Sequence, residues 1–299
     1  MTGWLLAIEG TEAGHRLALA LALAAAFLHA LFGALQKGRH DPWLSRAAID
    51  VCYGAMALPV ALFVVPWPEP HMWPIFGGAF VIHTGYKIAQ AMTYARGAYT
   101  VVYPVVRGTG PLFTVIGAGV FFGEHYGPGQ WAGVGVLVAG IFGLALYNRR
   151  YLTQARDTLG PALAWAVITG MFVAAYTTYD AYGIRATANP FTFLAWFFVM
   201  DAISMPVFQA RRLLAVPRGE RAALYARGFA GAIVAFLSFG AILMATRIDK
   251  VGQAAVIRET STVFAALIGW LVLREKVGPA RLALMALIAA GAVIVEFAR

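Results

Sequence analysis

The sequence contains little charge and almost no cysteine. Asp, Glu, Lys and Arg make up only 12% of its 299 residues, whereas hydrophobic residues make up 61%. Soluble domains carry roughly 25% charged residues, so the composition excludes a soluble enzyme and a disordered chain. The single cysteine, Cys52, excludes an intrachain disulfide and a metal site built from several cysteines. HExxH, GxSxG and Walker motifs are also missing, so neither those hydrolases nor an ATP-driven pump is predicted.

The charge that is present is mostly positive. The chain has a formal net charge of +9 and a mean hydropathy of +0.71. The charged fraction is too low for a basic nucleic-acid-binding face, whereas a membrane protein with basic loops explains both values. Residues 1–16 combine Glu9 and Glu12 with a short apolar run, a pattern that does not indicate a secretory signal.

Long apolar runs dominate the chain. A membrane-spanning helix needs about 20 mostly apolar residues, and ten stretches meet this requirement. They cover residues of about 17–36, 47–65, 75–95, 98–122, 130–147, 161–182, 190–209, 228–246, 251–273 and 279–297. Turn-forming residues separate them, and the longest loop, about 210–227, is too short to fold alone.

The two halves of the chain resemble each other at an offset of 151 residues. Residues 103–146 align with 254–297 without a gap. The informative identities are Arg107/Arg258, Thr109/Thr260, Glu124/Glu275, Gly127/Gly278 and Pro128/Pro279. Because five is an odd number, a second five-helix copy must enter the membrane from the opposite side. The sequence therefore predicts an all-α integral membrane protein with ten transmembrane helices, in two inverted five-helix repeats around a central cavity.

Basic residues outside the spans are unevenly distributed. Fifteen fall on one side of the predicted membrane and five on the side of the termini. The positive-inside rule makes the richer side cytoplasmic, so both termini are expected outside the cytoplasm of a bacterial inner membrane. The chain divides into an N-terminal segment 1–16, a first repeat 17–147, a linker 148–160 and a second repeat 161–297.

One predicted span carries a stripe of polar residues. His83, Lys87, Gln90 and Tyr94 follow one another at helical spacing and so share one face. An ionisable group at mid-bilayer costs ~2.5–3.5 kcal/mol, so it is usually functional or paired. The stripe is therefore expected to face a cavity and contact substrate. The alternative is a buried structural network in which a carboxylate neutralises Lys87.

Arg107 and Arg258 also lie within predicted spans and are repeat mates. The pseudo-two-fold axis would place them symmetrically about a central site. A guanidinium group binds carboxylate and phosphate through two parallel hydrogen bonds, so the pair is a candidate anion clamp. Alternatively, each arginine binds carbonyl groups or pairs with an acid, for example Arg258 with Glu259.

Acidic residues in the spans suggest charge pairing or proton coupling. Asp201, Asp180 and Glu259 are placed to neutralise the cations, recognise an ammonium group or carry a coupling proton. Glu296 lies at a helix end, from which its side chain is expected to reach water.

Further candidates are aromatic or small. His29 is either a hydrogen-bonded core residue or a proton relay, and Tyr176 and Tyr179 are candidates for lining a pocket. Gly119 and Gly123 form a GxxxG pattern, for which helix packing is the default interpretation and dimerisation the alternative.

The chain resembles the EamA branch of the drug/metabolite transporter superfamily. The resemblance rests on Pro104 to Glu124 with Gly127-Pro128 and Gly140, and on the mates Val256 to Glu275 with Gly278-Pro279 and Gly291. It implies a basket-like bundle, a central cavity, alternating-access transport of a small molecule and no cofactor. A narrower resemblance, to the subset associated with phosphonate utilisation, rests on His29-Ala30-Leu31 with Lys37 and on residues 176–185.

The leading hypothesis is a secondary transporter for a small anionic or zwitterionic metabolite. The main alternative is an exporter of cationic or drug-like compounds, in which Asp201, Asp180 or Glu259 and the tyrosines hold the substrate. A scaffold or sensor and an integral-membrane enzyme are weaker alternatives. The expected partners are a small molecule and the lipid bilayer, with no nucleic acid and no metal, and the chain is expected to be a monomer or homodimer.

Overall fold

The computed structural model describes residues 3–36, 41–97, 99–150, 159–271 and 278–298. Within these ranges the chain is helical apart from short connections, and it contains no β-strand. The helices are α1 (Gly3–Ile8), α2 (Glu12–Gln36), α3 (Pro42–Phe63), α4 (Met72–Arg96), α5 (Tyr99–Phe122), α6 (Pro128–Arg150), α7 (Leu159–Ala186), α8 (Pro190–Asp201), α9 (Ser204–Phe208), α10 (Ala210–Ala215), α11 (Arg218–Ile248), α12 (Val251–Arg258), α13 (Ser261–Leu271) and α14 (Pro279–Phe297). Lys37, Glu275 and most of the predicted linker lie outside the described residues.

Eight described segments are long and apolar enough to cross a membrane. They are Glu12–Phe32, Trp43–Phe63, Val101–Phe122, Pro128–Arg150, Leu159–Ala186, Pro190–Phe208, Arg218–Ile248 and Pro279–Phe297. The two predicted spans that are not among them are α4, which carries the polar stripe, and residues 251–271, which are divided into α12 and α13. These exceptions are the segments that bear Lys87, Arg258 and Glu259.

Capping residues followed by proline begin two of the helices, at the turn sequences predicted to separate the spans. Asp41 accepts a hydrogen bond from the Leu44 amide at 3.1 Å, and Asn189 accepts one from the Phe191 amide at 3.0 Å. A proline follows each cap at the first turn, where its missing N–H costs nothing. The predicted loop at 210–227 is instead mostly helical, because α10 and the first turns of α11 occupy it. The expectation of a loop there was wrong, since a charged helix end gives no apolar signal.

Helices of the first half of the chain pack against helices of the second half. α2 packs on α11, and α7 packs on α4. Likewise α5 packs on α7, while α12 and α13 pack on α2. α6 and α14 pack on each other.

Glu124 joins the end of α5 to the start of α12. Its carboxylate accepts hydrogen bonds from the amides of Val251 at 2.6 Å and Gly252 at 3.1 Å, and from the Tyr126 hydroxyl. A carboxylate at a helix N-terminus satisfies amides that lack an intrahelical partner. Gly123, with φ of 65°, ends α5 in the left-handed conformation that favours glycine. This glycine of the GxxxG pattern therefore terminates a helix.

Glycines do allow close packing between α6 and α14. A Cβ added to Gly133 would lie 2.7 Å from the Val295 amide nitrogen, whereas one added to Gly135 would meet nothing within 4 Å. We expect Gly133→Ala to destabilise the protein by about 1–3 kcal/mol through backbone displacement. Gly135→Ala, two residues along the same helix, should be neutral or stabilising. Thermal unfolding of both variants in detergent checks this, and equal melting temperatures would contradict the packing.

Candidate functional site

Lys87 is buried in a saturated network of acceptors. Its ammonium nitrogen lies 3.0 Å from Asp50 Oδ2 and 2.9 Å from Asp201 Oδ1. It also donates to the Asp201 carbonyl at 2.9 Å and to Ser204 Oγ at 3.3 Å. An ammonium group has three protons, so these acceptors use all of its donor capacity. We call Lys87, Asp50, Asp201 and Arg46 the lysine network.

The lysine network is balanced in charge. Arg46 Nε pairs with Asp50 Oδ1 at 2.7 Å, and an Arg46 terminal nitrogen lies 3.8 Å from Asp201 Oδ2. The Tyr53 hydroxyl donates to that same oxygen of Asp201. Two cations therefore face two carboxylates. This geometry corresponds to the structural alternative for Lys87, in which carboxylates neutralise it. Sequence analysis missed Asp50, although it lies inside the predicted span 47–65 and four residues after Arg46.

A second buried pair extends the lysine network towards α7. His83 Nε2 lies 2.7 Å from Asp180 Oδ2, and Asp180 is completely buried. The imidazole ring packs against Tyr176, with ring centroids 4.6 Å apart, and against Phe197. The stripe predicted on α4 thus faces the interior, where His83 and Lys87 each meet an acid from another helix.

The arginine site lies where α5 meets the break between α12 and α13. Arg107 Nε forms an ion pair with Glu259 Oε2 at 2.9 Å, and an Arg107 terminal nitrogen donates to Ser261 Oγ at 2.9 Å. The guanidinium carbon lies 5.9 Å from the centroid of the Tyr103 ring. Glu259 is therefore bound to Arg107 and not to its sequence neighbour Arg258, the partner considered from sequence.

Arg258 is buried without a partner among the described residues. Only 7% of its surface is exposed, no acidic side chain there forms an ion pair with it, and its Nε makes no hydrogen bond. The guanidinium group nevertheless acts electrostatically on Glu259 and on His29 of α2. Both arginines thus act on Glu259 and His29, but among the described residues only Arg107 forms an ion pair.

A break in the helix positions these groups. α12 ends at Arg258 and α13 begins at Ser261, and the Glu259 and Thr260 amides bond to the carbonyls three residues earlier. These short bonds mark a tightened turn, which changes the direction of the side chains that follow. The equivalent part of α5 is continuous through Arg107, so the two repeats differ in backbone where their arginines meet. Interrupted helices line the substrate sites of many secondary transporters.

Aromatic residues connect the arginine site to the lysine network. The Tyr86 ring packs on Tyr176 at 5.1 Å, and Gln90 donates to the Tyr86 hydroxyl at 2.6 Å. Tyr86 lies within electrostatic range of Arg46 on one side and of Arg107 and Arg258 on the other. Tyr86 was not singled out from sequence, although its position beside Lys87 in α4 was visible.

Two other predicted tyrosines pack against apolar or small residues. Tyr94 packs against the apolar cluster between α5 and α7. Tyr179 lies against Gly78 of α4, and its ring neighbours that of the more exposed Tyr182 at 6.3 Å. Among the candidates from sequence, the structure therefore brings Tyr176 to the site and leaves Tyr179 at a helix interface.

Glu296 does not reach water, contrary to the prediction. It is only 6% exposed, and its carboxylate lies 2.7 Å from His15 Nε2 and accepts a hydrogen bond from Gln253 at 2.5 Å. The helix end is covered because α2 brings His15 against it. No sequence period within α14 could reveal this neighbour.

Buried ionic networks, the break between α12 and α13 and eight segments long and apolar enough to span a membrane are features typical of a membrane transport protein. The chain belongs to the EamA-like transporter family, whose model matches it twice, over residues 16–146 and 160–297. The family consists of small-molecule transporters, not enzymes. No curated protein matches the sequence significantly. One solved structure, with the description "Crystal structure of protein", is similar in fold. Its TM-score is 0.71 and its sequence identity 20%, and the similarity covers 96% of this chain and 99% of the other.

Proposed function

We propose that the protein is a secondary transporter that moves a small anionic or zwitterionic metabolite by alternating access. The observation that carries this proposal is the unpaired Arg258 beside the Arg107–Glu259 ion pair. One carboxylate faces two guanidinium groups, which leaves one positive charge in excess in a buried region. An anionic substrate supplies the missing negative charge.

The energetic argument rests on desolvation. Removing an ion from water costs several kcal/mol unless a counterion and hydrogen bonds compensate for it. Arg258 has neither among the described side chains, and a bound carboxylate, phosphate or phosphonate would supply both. A guanidinium group presents the fork of donors that such groups accept.

Other groups nearby suit a zwitterion. Glu259 offers carboxylate oxygens to a substrate ammonium, and Ser261 and Tyr103 lie beside the Arg107 guanidinium. The substrate class that best matches this arrangement has one acidic group and, within a few bonds of it, an amino or hydroxyl group. The lysine network is neutral by itself and is assigned to holding α3, α4 and α8 together.

The proposed mechanism requires ten membrane passes in two inverted repeats. The helix contacts support this arrangement, because each contact between the halves has a counterpart with the halves interchanged. The contact of α2 with α11 corresponds to that of α7 with α4. The contact of α5 with α7 corresponds to that of α12 and α13 with α2. α6 and α14 pair with each other, as expected of equivalent helices on a two-fold axis. In such a bundle the two repeats rock about a central site, which here lies at the arginines.

Export of a cation is the second candidate and has less support. Asp201 pairs with Lys87, Asp180 with His83, and Glu259 with Arg107. A cationic substrate would add positive charge beside two guanidinium groups that face one carboxylate, whereas an anion would balance that charge. The tyrosines favour neither class.

A thermal-shift panel on detergent-purified protein tests the substrate class. The panel contains carboxylates, organic phosphates, aminoalkyl phosphonates, amino acids and quaternary amines. We expect at least one anionic or zwitterionic compound to raise the melting temperature, since a ligand at 100 times its Kd adds about 2.7 kcal/mol. Stabilisation by quaternary amines alone would overturn the anion proposal in favour of the cation exporter.

A further inference from the structure

A partly buried group of polar residues joins the first turns of α2 to the connection before α12 and to the end of α14. His15 of α2 is held between two carboxylates: its Nδ1 bonds to Asp249 Oδ2, and its Nε2 lies 2.7 Å from Glu296 Oε1. Gln253 of α12 donates to the other oxygen of Glu296 at 2.5 Å. We call His15, Asp249, Gln253 and Glu296 the histidine cluster.

The hydrogen bonds of the histidine cluster require an additional proton. A carboxylate only accepts hydrogen bonds, whereas a neutral imidazole has one N–H to donate. Both ring nitrogens face carboxylate oxygens. A neutral histidine between two carboxylates can form only one of these two bonds, so the second bond requires one additional proton on the cluster. Loss of that proton removes one bond and leaves an imidazole lone pair facing a carboxylate oxygen.

Neighbouring charges in the described chain are already engaged. Lys250 donates to the His125 carbonyl at 3.3 Å, and Arg185 donates to the Thr246 and Asp249 carbonyls. Arg247 pairs with Glu9 at 2.7 Å, and Arg16 pairs with Glu12 on the exposed face of α2. None of these cations forms an ion pair with Glu296. A proton on the cluster is therefore the positive charge that balances this carboxylate among the described residues.

A small cleft borders the histidine cluster between α2 and α12. Besides His15, Asp249 and Glu296, its lining consists of Ala18 and Leu19 of α2, Lys250, and Gln253, Ala254 and Ile257 of α12. Ile257 directly precedes Arg258 at the end of the same helix. The cleft thus separates part of α2 from α12, and the histidine cluster borders it.

We propose that the histidine cluster is a proton-binding site that holds α2 against α12 and so keeps this cleft closed. With the proton bound, His15 ties α2 to α14 and to the connection before α12. When the proton leaves, one of these ties is lost and α12 can separate from α2. Control of substrate access by this site rests on the proposed function, whereas proton binding and closure do not.

Cysteine labelling tests the closure without any substrate. The reporter is Ala254→Cys in a Cys52→Ser background, labelled with a water-soluble maleimide between about pH 5 and pH 8, the range in which histidine titrates. At each pH the rate is divided by that of the same reporter carrying His15→Gln, which cancels the ionisation of the thiol. At the acidic end we expect a ratio of about 0.1 or less, because the parent reporter is protected by a charge-assisted hydrogen bond that the His15→Gln variant lacks. At the alkaline end, where the parent has also lost this bond, the ratio should approach 1.

Two further variants make the outcome decisive. Glu296→Gln supplies an amide donor to a neutral imidazole, so its reporter should stay protected at every pH. His71→Gln, a histidine in a connection on the same side that bonds to the Ala186 carbonyl, should keep the pH dependence of the parent. A ratio that does not change with pH, or equal pH dependence in the Glu296→Gln variant, would overturn the proton site. The proposed transport function could fail separately, in the thermal-shift panel.

Discussion

Arg258→Gln is expected to abolish transport while making the unliganded protein more stable. The substitution removes a buried charge that has no ion-pair partner in the described structure, and burying such an ion costs several kcal/mol, so we expect the melting temperature to rise. It also removes the group proposed to bind the substrate anion, a loss of about 2–5 kcal/mol or at least about 30-fold in affinity. Uptake into proteoliposomes and thermal unfolding measure the two effects on the same preparation.

Arg107→Gln is the informative comparison because it should change stability in the opposite direction. It breaks the contact of Arg107 with Glu259 and its hydrogen bond to Ser261, and hydrogen bonds to charged groups each contribute about 1.5–3 kcal/mol. Arg281→Gln, at the start of α14 near Asn148, serves as a control that should affect neither property. Destabilisation of equal size by the two central substitutions would contradict the assignment of Arg258 as the unpaired arginine.

Lys87→Met is the second substitution with a large expected effect. It leaves Asp50 and Asp201 with Arg46 as their remaining cation, so we expect a loss of about 3–5 kcal/mol in the free energy of unfolding. Adding Asp50→Asn should restore much of that loss, because the second substitution removes the surplus negative charge. Chemical denaturation of the single and double variants measures the coupling between the two residues.

The same pair of variants decides between the two interpretations of Lys87. If Lys87→Met unfolds at the parent's denaturant concentration and only transport is lost, the lysine acts on the substrate, as the polar stripe on α4 first suggested. If the double variant recovers stability and transport together, the lysine network is structural.

Much of the architecture could be predicted because it leaves a local trace. Apolar runs located the helices, Gly-Pro and Asn-Pro pairs marked their starts, and the offset of 151 residues related Arg107 to Arg258. The family match over both halves agrees with that repeat. Burial of Lys87 and both arginines was also predictable, because charged residues within an apolar span rarely face lipid.

The pairing of the charges could not be predicted, because it depends on which helices lie side by side. Asp50 reaches Lys87 from α3 and Glu259 turns to Arg107 rather than to adjacent Arg258. The break at Glu259 and Thr260 has no proline to signal it. His15 was overlooked for the same reason, since its acidic partners lie 234 and 281 residues away in the chain.

The most direct test of the central claim is a paired measurement of ligand-induced stabilisation. Melting temperatures of the parent and of Arg258→Gln are recorded with and without the anionic compound that stabilises the parent most. We predict that the variant melts higher than the parent without ligand and is not shifted by it. A variant that the anion stabilises as much as it stabilises the parent would contradict an anion site at Arg258.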